Sequence, residues 1–552
     1  MEAFFVIVAL LFIVYMFYET MSAKAKTKAR LERDFGAVPV GDYRHASVDQ
    51  YWRAYRDFAA PPDAIDDTTW DDLTMEEVYY TVCSCTTTVG QDYLYAILHM
   101  PCDTAGREKL IALFEDAGLR LDTQLILARL GKKLCANLHE LLFSPEDYTL
   151  PRPWLYIVFA LLPLAGLALV FVEPSFGLLC LLAALGNNCC QYLSVKKRTS
   201  HRLESLQYFT QLLRCGRALA PRLAEKAPAY AALLEKTLLP LKKIGFGAML
   251  VSKGEGDSMT GALLEFINMI TLVPVIEYSR SIGQVQNNLP AAQMLYRLLG
   301  ELDAAISICS YRHSLPEYAL PEFTDALKIQ ADELVHPLLG VAVPNSADIA
   351  GSWLLTGSNA SGKSTFIKAV AVNLILGQTI HTCTAARFVM RRAAVITSMA
   401  VADNIVDGES YFIAEIKSMR RILAYADTGA PCYCFIDEIL KGTNTVERVA
   451  ASATVLRYLQ RPRCLCIAAT HDIELTKMLA DCYTNMHFSE QVTDEGVSFD
   501  YRLKSGPSTT RNAIKLLEYY GFPRAVVEQA TAAANADEAA RLGTAYKEGT
   551  AR

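Results

Sequence analysis

"SWLLTGSNASGKSTFIKAVAVNLILG", residues 352–377, decides the fold of the C-terminal part of this chain. A short apolar run leads into Gly357-x-x-x-x-Gly362-Lys363-Ser364, and a helical apolar pattern follows. That order predicts strand, phosphate loop and helix, the opening unit of an α/β P-loop domain. Glycines let backbone N–H groups turn inward around phosphate oxygens, and the helix N-terminus adds positive potential. Lys363 is then placed to reach the β and γ phosphates of ATP and the Ser364 hydroxyl to bind Mg2+, with Thr365 next along the loop.

Two further stretches extend the site. "PCYCFIDEILKGTNTVER", residues 431–448, reads as an apolar strand ending in Asp437-Glu438. An acid at a strand end beside a phosphate loop holds the hydration shell of Mg2+, and its neighbour orients or deprotonates the attacking water. "CLCIAATHD", residues 464–472, is a third strand that ends on His471, where an imidazole senses the γ-phosphate. Alone, an Asp-Glu pair is usually a solvated strand end and a single His is bland. In series with the loop they describe nucleotide hydrolysis.

Between loop and acid pair lies "DGESYFIAEI", residues 407–416. Phosphate loop, a Gly/Ser signature at a helix start, Asp-Glu strand and His strand is the order of an ABC-type nucleotide domain. Ser410 occupies the signature slot. It is expected to complete the site of a partner subunit, a role compatible with ordinary N-capping of the following helix. The motifs "GSNASGKST", "DNIVDGESYFIAE", "DEILKGTNTVER" and "ATHDIELT" resemble the MutS mismatch-repair ATPases rather than transporter ATPases. "HPLL" at residues 336–339 and "YRLKSGPSTTRNAIKLLEYYGFPRAVVEQA" downstream extend the resemblance over about residues 330–530.

The resemblance implies a homodimeric ATPase with ATP and Mg2+ as cofactors. It assigns Gly357, Asn359, Gly362, Lys363, Ser364 and Thr365 to the nucleotide, Ser364 and Asp437 to the metal, Glu438 to water activation, and His471 and Ser410 to the switch and trans roles. Where the family often stacks an aromatic on adenine, "GVAVPNSADI" offers Val343 before Pro344, and Tyr501 is the substitute. Upstream, residues 295–323 and 87–101 resemble the end and beginning of the family's helical core and lever domain. Apolar spacing of three and four supports helices over 203–238 and 261–308. No segment leaves room for the mismatch-reading domain, and "FYE" at residues 17–19 matches its Phe-x-Glu only in letters.

Residues 3–18, "AFFVIVALLFIVYMFY", are uncharged and are followed by Lys24, Lys26, Lys28 and Arg30, which predicts an anchor with its N-terminus outside. Residues 154–172 and 175–193 are a second apolar pair around Glu173-Pro174, flanked by Arg152 and by Lys196, Lys197 and Arg198. They predict a transmembrane hairpin whose ends are cytoplasmic. The expected organisation is an anchor (1–22), a linker (23–69), an all-α core/lever domain (70–330) carrying the hairpin 154–193, an ATPase domain (331–535) and a tail (536–552). Three spans in the cell membrane, with lipid as a partner and the ATPase in the cytoplasm, follow.

Net charge of −6 and a pI near 5.9 do not suggest a protein organised as one basic surface for nucleic acid, while leaving room for a local patch that binds DNA. The 15 cysteines form no C-x-x-C pair and sit in apolar patterns, as small hydrophobes in a reducing setting do. Two functions remain in view. One is a membrane-anchored ATPase that moves helical levers, with DNA as a candidate partner. The other is a membrane mechanical or signalling ATPase with a protein or lipid partner and no mismatch-repair role. Three spans, polar only at Asn187, Asn188 and Gln191, leave little pathway for a transporter.

Overall fold

A computed structural model of the chain describes residues 2–39, 48–101, 104–133, 138–244, 259–358, 361–399, 411–441, 443–493, 496–508 and 521–533. They fall into two compact units, Met1–Pro62 with Tyr79–Pro316, and Asp63–Val78 with Glu317–Arg552.

The first unit is helical. Its first helix, Glu2–Asp34, continues well past the expected anchor, and a second helix, Val48–Ala59, also occupies the stretch read from sequence as a linker. The side chains of residues 3–13, on which the first span rests, lie outside the described residues. The expected hairpin is present as a helical pair, Trp154–Val170 and Pro174–Leu223. Its arms touch closely: a Cβ on Gly166 would stand 2.8 Å from the Leu181 Cα, and one on Gly177 would meet the Val170 backbone nitrogen at 2.3 Å. Pro174–Ser200 is long and apolar enough to cross a membrane, whereas Trp154–Val170 is shorter than that length. Large apolar side chains along both arms face outward, with Phe171 at the turn 84% exposed.

The second arm runs 50 residues and does not stop at residue 193: no proline follows before Pro221, and Gly216 is carried within the helix. The helices read over 203–238 and 261–308 are instead broken into segments. Pro228, Pro274 and Pro290 each stand in the first turn of a new helix, Pro228–Leu238, Val273–Asn287 and Leu289–Ser314, where a missing N–H costs nothing. A buried carboxylate pins this unit. Asp303 accepts hydrogen bonds from Thr87 Oγ1 at 2.6 Å, Thr87 N at 2.8 Å and Thr86 Oγ1 at 3.0 Å. Thr87 Oγ1 in turn accepts from Gly90 N and caps the helix Thr88–Leu98. Burial raises the Asp303 pKa, and these donors oppose the rise.

The second unit is α/β. Its strands are β1 (Glu322–Phe323), β2 (Ile329–Leu334), β3 (Asn345–Ile349), β4 (Trp353–Thr356), β5 (Arg387–Met390), β6 (Ala394–Ser398), β7 (Cys432–Asp437), β8 (Cys464–Ala469), β9 (Thr484–His487), β10 (Glu490–Thr493), β11 (Gly496–Phe499) and β12 (Lys504–Ser505). The central sheet has the order β12-β9-β4-β8-β7-β6 and is parallel apart from β12. A second sheet, β1-β5-β2-β3, and the hairpin β10-β11 complete it. β4, β6 and β8 are buried along their whole length, as parallel strands covered on both faces should be. Cys432, Cys434, Cys464 and Cys466 all sit in this core, in line with their reading as small hydrophobes.

Residues 63–78 belong to this second unit rather than to a linker or the helical domain. The apolar side chains of the segment explain it: Ile65, Trp70, Leu73 and Met75 are all buried. A solvated linker has no such set.

Candidate functional site

β4 ends at Thr356, and the chain must turn sharply to enter the helix Lys363–Ile380. Gly357 (φ 140°) and Gly362 (φ 104°) supply that turn from the region open to glycine. A Cβ on Gly357 would lie 2.5 Å from the Phe488 carbonyl oxygen, so the loop passes β9's end only without a side chain. The loop is closed by its own lysine. Lys363 Nζ donates to the carbonyls of Gly357 at 2.6 Å and Ser358 at 2.7 Å, and Ser361 Oγ also donates to the Ser358 carbonyl. Burial lowers the Lys363 pKa to about 8, against the pull of the Asp437 and Glu490 carboxylates.

Asp437 closes β7, beside β8 in the sheet. Its Oδ1 is buried and has no hydrogen-bond partner among the described residues. An orphaned carboxylate oxygen is costly unless something positive or hydrated meets it. Asp437 and Ser364, hard oxygen donors, therefore fit a hydrated Mg2+.

The next residue is held in an uncommon conformation. Glu438 has φ 60° and Leu440 φ 56°, each costing a non-glycine residue about 1–2 kcal/mol. Hydrogen bonds hold the turn: Glu438 N donates to the Ala469 carbonyl at 3.0 Å, and Lys441 N donates to Glu415 Oε1 at 3.1 Å. The outcome is a carboxylate held between two partners. Glu438 Oε2 pairs with the Lys441 ammonium, and Glu438 Oε1 lies 2.8 Å from His471 Nε2. Burial lowers the His471 pKa first, with the Lys363 and Lys441 charges adding to it. A neutral imidazole facing a carboxylate must carry its proton on Nε2, so His471 donates to Glu438.

The loop after β8 is fixed from behind. Arg448, on the helix Thr445–Tyr458, makes a two-point pair with Asp472 at 2.9 and 2.7 Å, and Asp472 N donates to Thr470 Oγ1. Tyr501 (φ 52°) lies by the other end of the phosphate loop. Its Cδ1 is 3.3 Å from where a Gly362 Cβ would stand, its ring stacks on Phe499, and its carbonyl accepts from Asn345 Nδ2. Asn359 and Ser410 lie outside the described residues. The remaining expected residues stand around the phosphate loop and the ends of β7 and β8.

This arrangement has a counterpart among known proteins. The family model for MutS domain V matches residues 353–537, from the first residue of β4 to beyond Tyr501. The chain is MutS-related. DNA mismatch repair protein MutS of Thermus thermophilus is 30% identical over 260 residues, and that of Rickettsia massiliae 27% identical over 292 residues. These matches cover 45% and 48% of this chain but 30% and 32% of the relatives. The chain thus spans about a third of the length of the curated MutS relatives it matches.

Sequence reasoning missed several residues of the MutS-like site. Glu490, which is buried and accepts a hydrogen bond from Ser358 Oγ, carries no motif signal. Arg448 and Asp472 do, since both end motifs already recognised. Glu415 stands inside the signature stretch yet acts on the turn at Lys441.

Proposed function

We propose that the chain is a membrane-anchored MutS-like ATPase, which hydrolyses ATP at composite sites of a homodimer and uses the cycle to move helical levers. One observation carries this reading: a phosphate-loop lysine, an orphaned Asp437 oxygen and a His471-held Glu438 meet at the same end of one parallel sheet. Lys363 would exchange its loop carbonyls for phosphate oxygens. Glu438 would accept a proton from the attacking water at Oε2, in exchange for its Lys441 partner, while His471 holds Oε1. Mg2+, when bound by Ser364 and Asp437, would neutralise charge building on the phosphates. Ser410 of the partner subunit would complete the site, and Tyr501 is the candidate platform for adenine.

Anchoring rests on the helical pair Trp154–Val170 and Pro174–Leu223 with its outward apolar side chains, together with the run at residues 3–18. By the charge rule the N-terminus is outside and the ATPase cytoplasmic, in a cell membrane crossed three times. Lipid then surrounds the spans. The Thermus and Rickettsia relatives are named for DNA mismatch repair, which makes duplex DNA a candidate partner. The limited overlap with them and the net charge of −6 favour a second reading, a mechanical or signalling ATPase whose partner is protein or lipid.

ATP turnover by the detergent-purified protein, with and without duplex DNA at low and moderate salt, tests both. Stimulation by DNA that collapses with salt supports the first version. Turnover indifferent to DNA supports the second. Absence of turnover in every condition would refute the ATPase reading itself.

A further inference from the structure

Among the described residues the central sheet ends at β6, with no strand along its outer edge. Unpaired edge N–H and C=O groups must find partners, and here the partners come from residues more than 300 positions earlier. The helix Asp67–Asp72 supplies them. Thr69 Oγ1 accepts from Thr397 N at 3.3 Å, and Asp72 Oδ2 accepts from Thr397 Oγ1 at 2.7 Å and from Met399 N at 3.0 Å. Asp72 is almost fully buried.

The same segment grips a second element, the helix Tyr411–Asp427. Arg421 of that helix pairs through Nη1 with Asp66 and donates through Nη2 to the Thr397 carbonyl. Tyr425 Oη donates to Asp63 at 2.7 Å. Asp66 also caps the helix Asp67–Asp72 by accepting from Thr69 N at 2.8 Å, so strap and clamp share one carboxylate. Every oxygen and nitrogen of Thr397 that could bond outward is thereby engaged.

The place of these contacts matters more than their number. β6 ends at Ser398, paired with Ile436 of β7, one residue before Asp437, so Asp72 works at the same end of the sheet as the hydrolytic residues. Met399 follows β6, and Arg421 and Tyr425 stand 11 and 15 residues after Ser410, so residues 63–72 hold the chain on either side of the signature.

We propose that Asp72 and Thr397 form a positioning pair for the signature, through which the strap 63–72 sets how well each subunit serves its partner's ATP site. This rests on the reading of Ser410 as a trans residue. Neither residue belongs to the phosphate loop or to the Asp437, Glu438 and His471 set. Its loss should leave nucleotide binding to the phosphate loop intact and reduce turnover, and the defect should belong to the subunit that donates the signature.

The experiment is subunit mixing with full-length protein in detergent. Asp72→Asn and Thr397→Val should each bind a fluorescent ATP analogue with wild-type affinity while kcat falls about tenfold. Thr397→Ser, which keeps the hydroxyl, should restore most of the turnover. Mixed dimers of Asp72→Asn with Lys363→Ala should regain activity over either parent, because one site then joins an intact loop to a well-held signature. Ser410→Ala mixed with Lys363→Ala runs in parallel. If that control recovers and the Asp72→Asn mixture does not, or if Asp72→Asn and Thr397→Val turn over as wild type does, the positioning proposal is wrong. If the control itself fails to recover, the trans reading of Ser410 falls, and the proposal with it. Melting temperatures separate misfolding from mispositioning, and should Thr397→Val melt early, Asp72→Asn alone decides.

Discussion

His471 Nε2 lies 2.8 Å from Glu438 Oε1, at the meeting of two adjacent strand ends. The imidazole is kept neutral by burial and by the nearby lysines, so it acts as a hydrogen-bond donor that orients the carboxylate. Its removal should weaken water positioning without touching phosphate binding. His471→Ala is expected to lower kcat by about 10²-fold, with nucleotide affinity unchanged. Steady-state turnover set beside equilibrium binding checks this. A large loss of affinity would place His471 among the phosphate ligands instead.

Lys363 predicts a pH dependence of binding. Its pKa in the free protein is about 8, below that of an ordinary lysine, because burial disfavours the ammonium. Polyphosphate prefers the charged form. Affinity for ADP should therefore hold below about pH 8 and fall by up to about tenfold per pH unit above it, with proton uptake on binding in that range. Calorimetry in buffers of different ionisation enthalpy measures the uptake. Lys363→Arg, which stays charged, should lose this pH dependence.

The helical unit should respond to pH in the opposite range. His99 is stacked on Trp52 at 4.6 Å and donates from Nδ1 to the Tyr95 carbonyl, and burial lowers its pKa to about 3. The unfolded chain, with an ordinary histidine near 6.5, binds more protons between those two values. Stability from this group is thus complete above about pH 6.5 and declines as pH falls, by at most about 1.4 kcal/mol per unit. Denaturant midpoints at pH 7 and pH 5 for wild type and His99→Gln should show a shallower pH slope in the variant. Parallel slopes would mean that His99 is not the group responsible.

Topology can be read by cysteine labelling in intact cells. Glu173→Cys should react from outside and Ser505→Cys should stay protected until cells are opened. A protected Glu173→Cys, or Ser505→Cys labelled from outside, would overturn this topology.

The parts of this site legible in sequence are those with fixed local spacing. The Gly357-to-Ser364 loop, the Asp437-Glu438 strand end and His471 each declare themselves within ten residues, because one strand and one turn set their geometry. What escaped depends on contacts across the chain. Asp72 and Thr397 meet over a separation of 325 residues, and no period or motif marks a threonine as the partner of a distant acid. Glu490 reaches Ser358 over 132 residues in the same way. Helix limits show a similar divide: Pro174 marked where the second hairpin arm begins, while its end at Leu223 lay 30 residues past the last apolar residue of the expected span, along mixed polar and apolar sequence with good helix formers.

Single-turnover hydrolysis by Glu438→Gln, set against wild type and Lys363→Ala in the same detergent, tests the central claim most directly. Glu438→Gln should bind ATP as tightly as wild type and hydrolyse it about 10²- to 10³-fold more slowly, whereas Lys363→Ala should fail to bind. Equal hydrolysis by Glu438→Gln and wild type would contradict the assignment of Glu438 and the ATPase mechanism built on it.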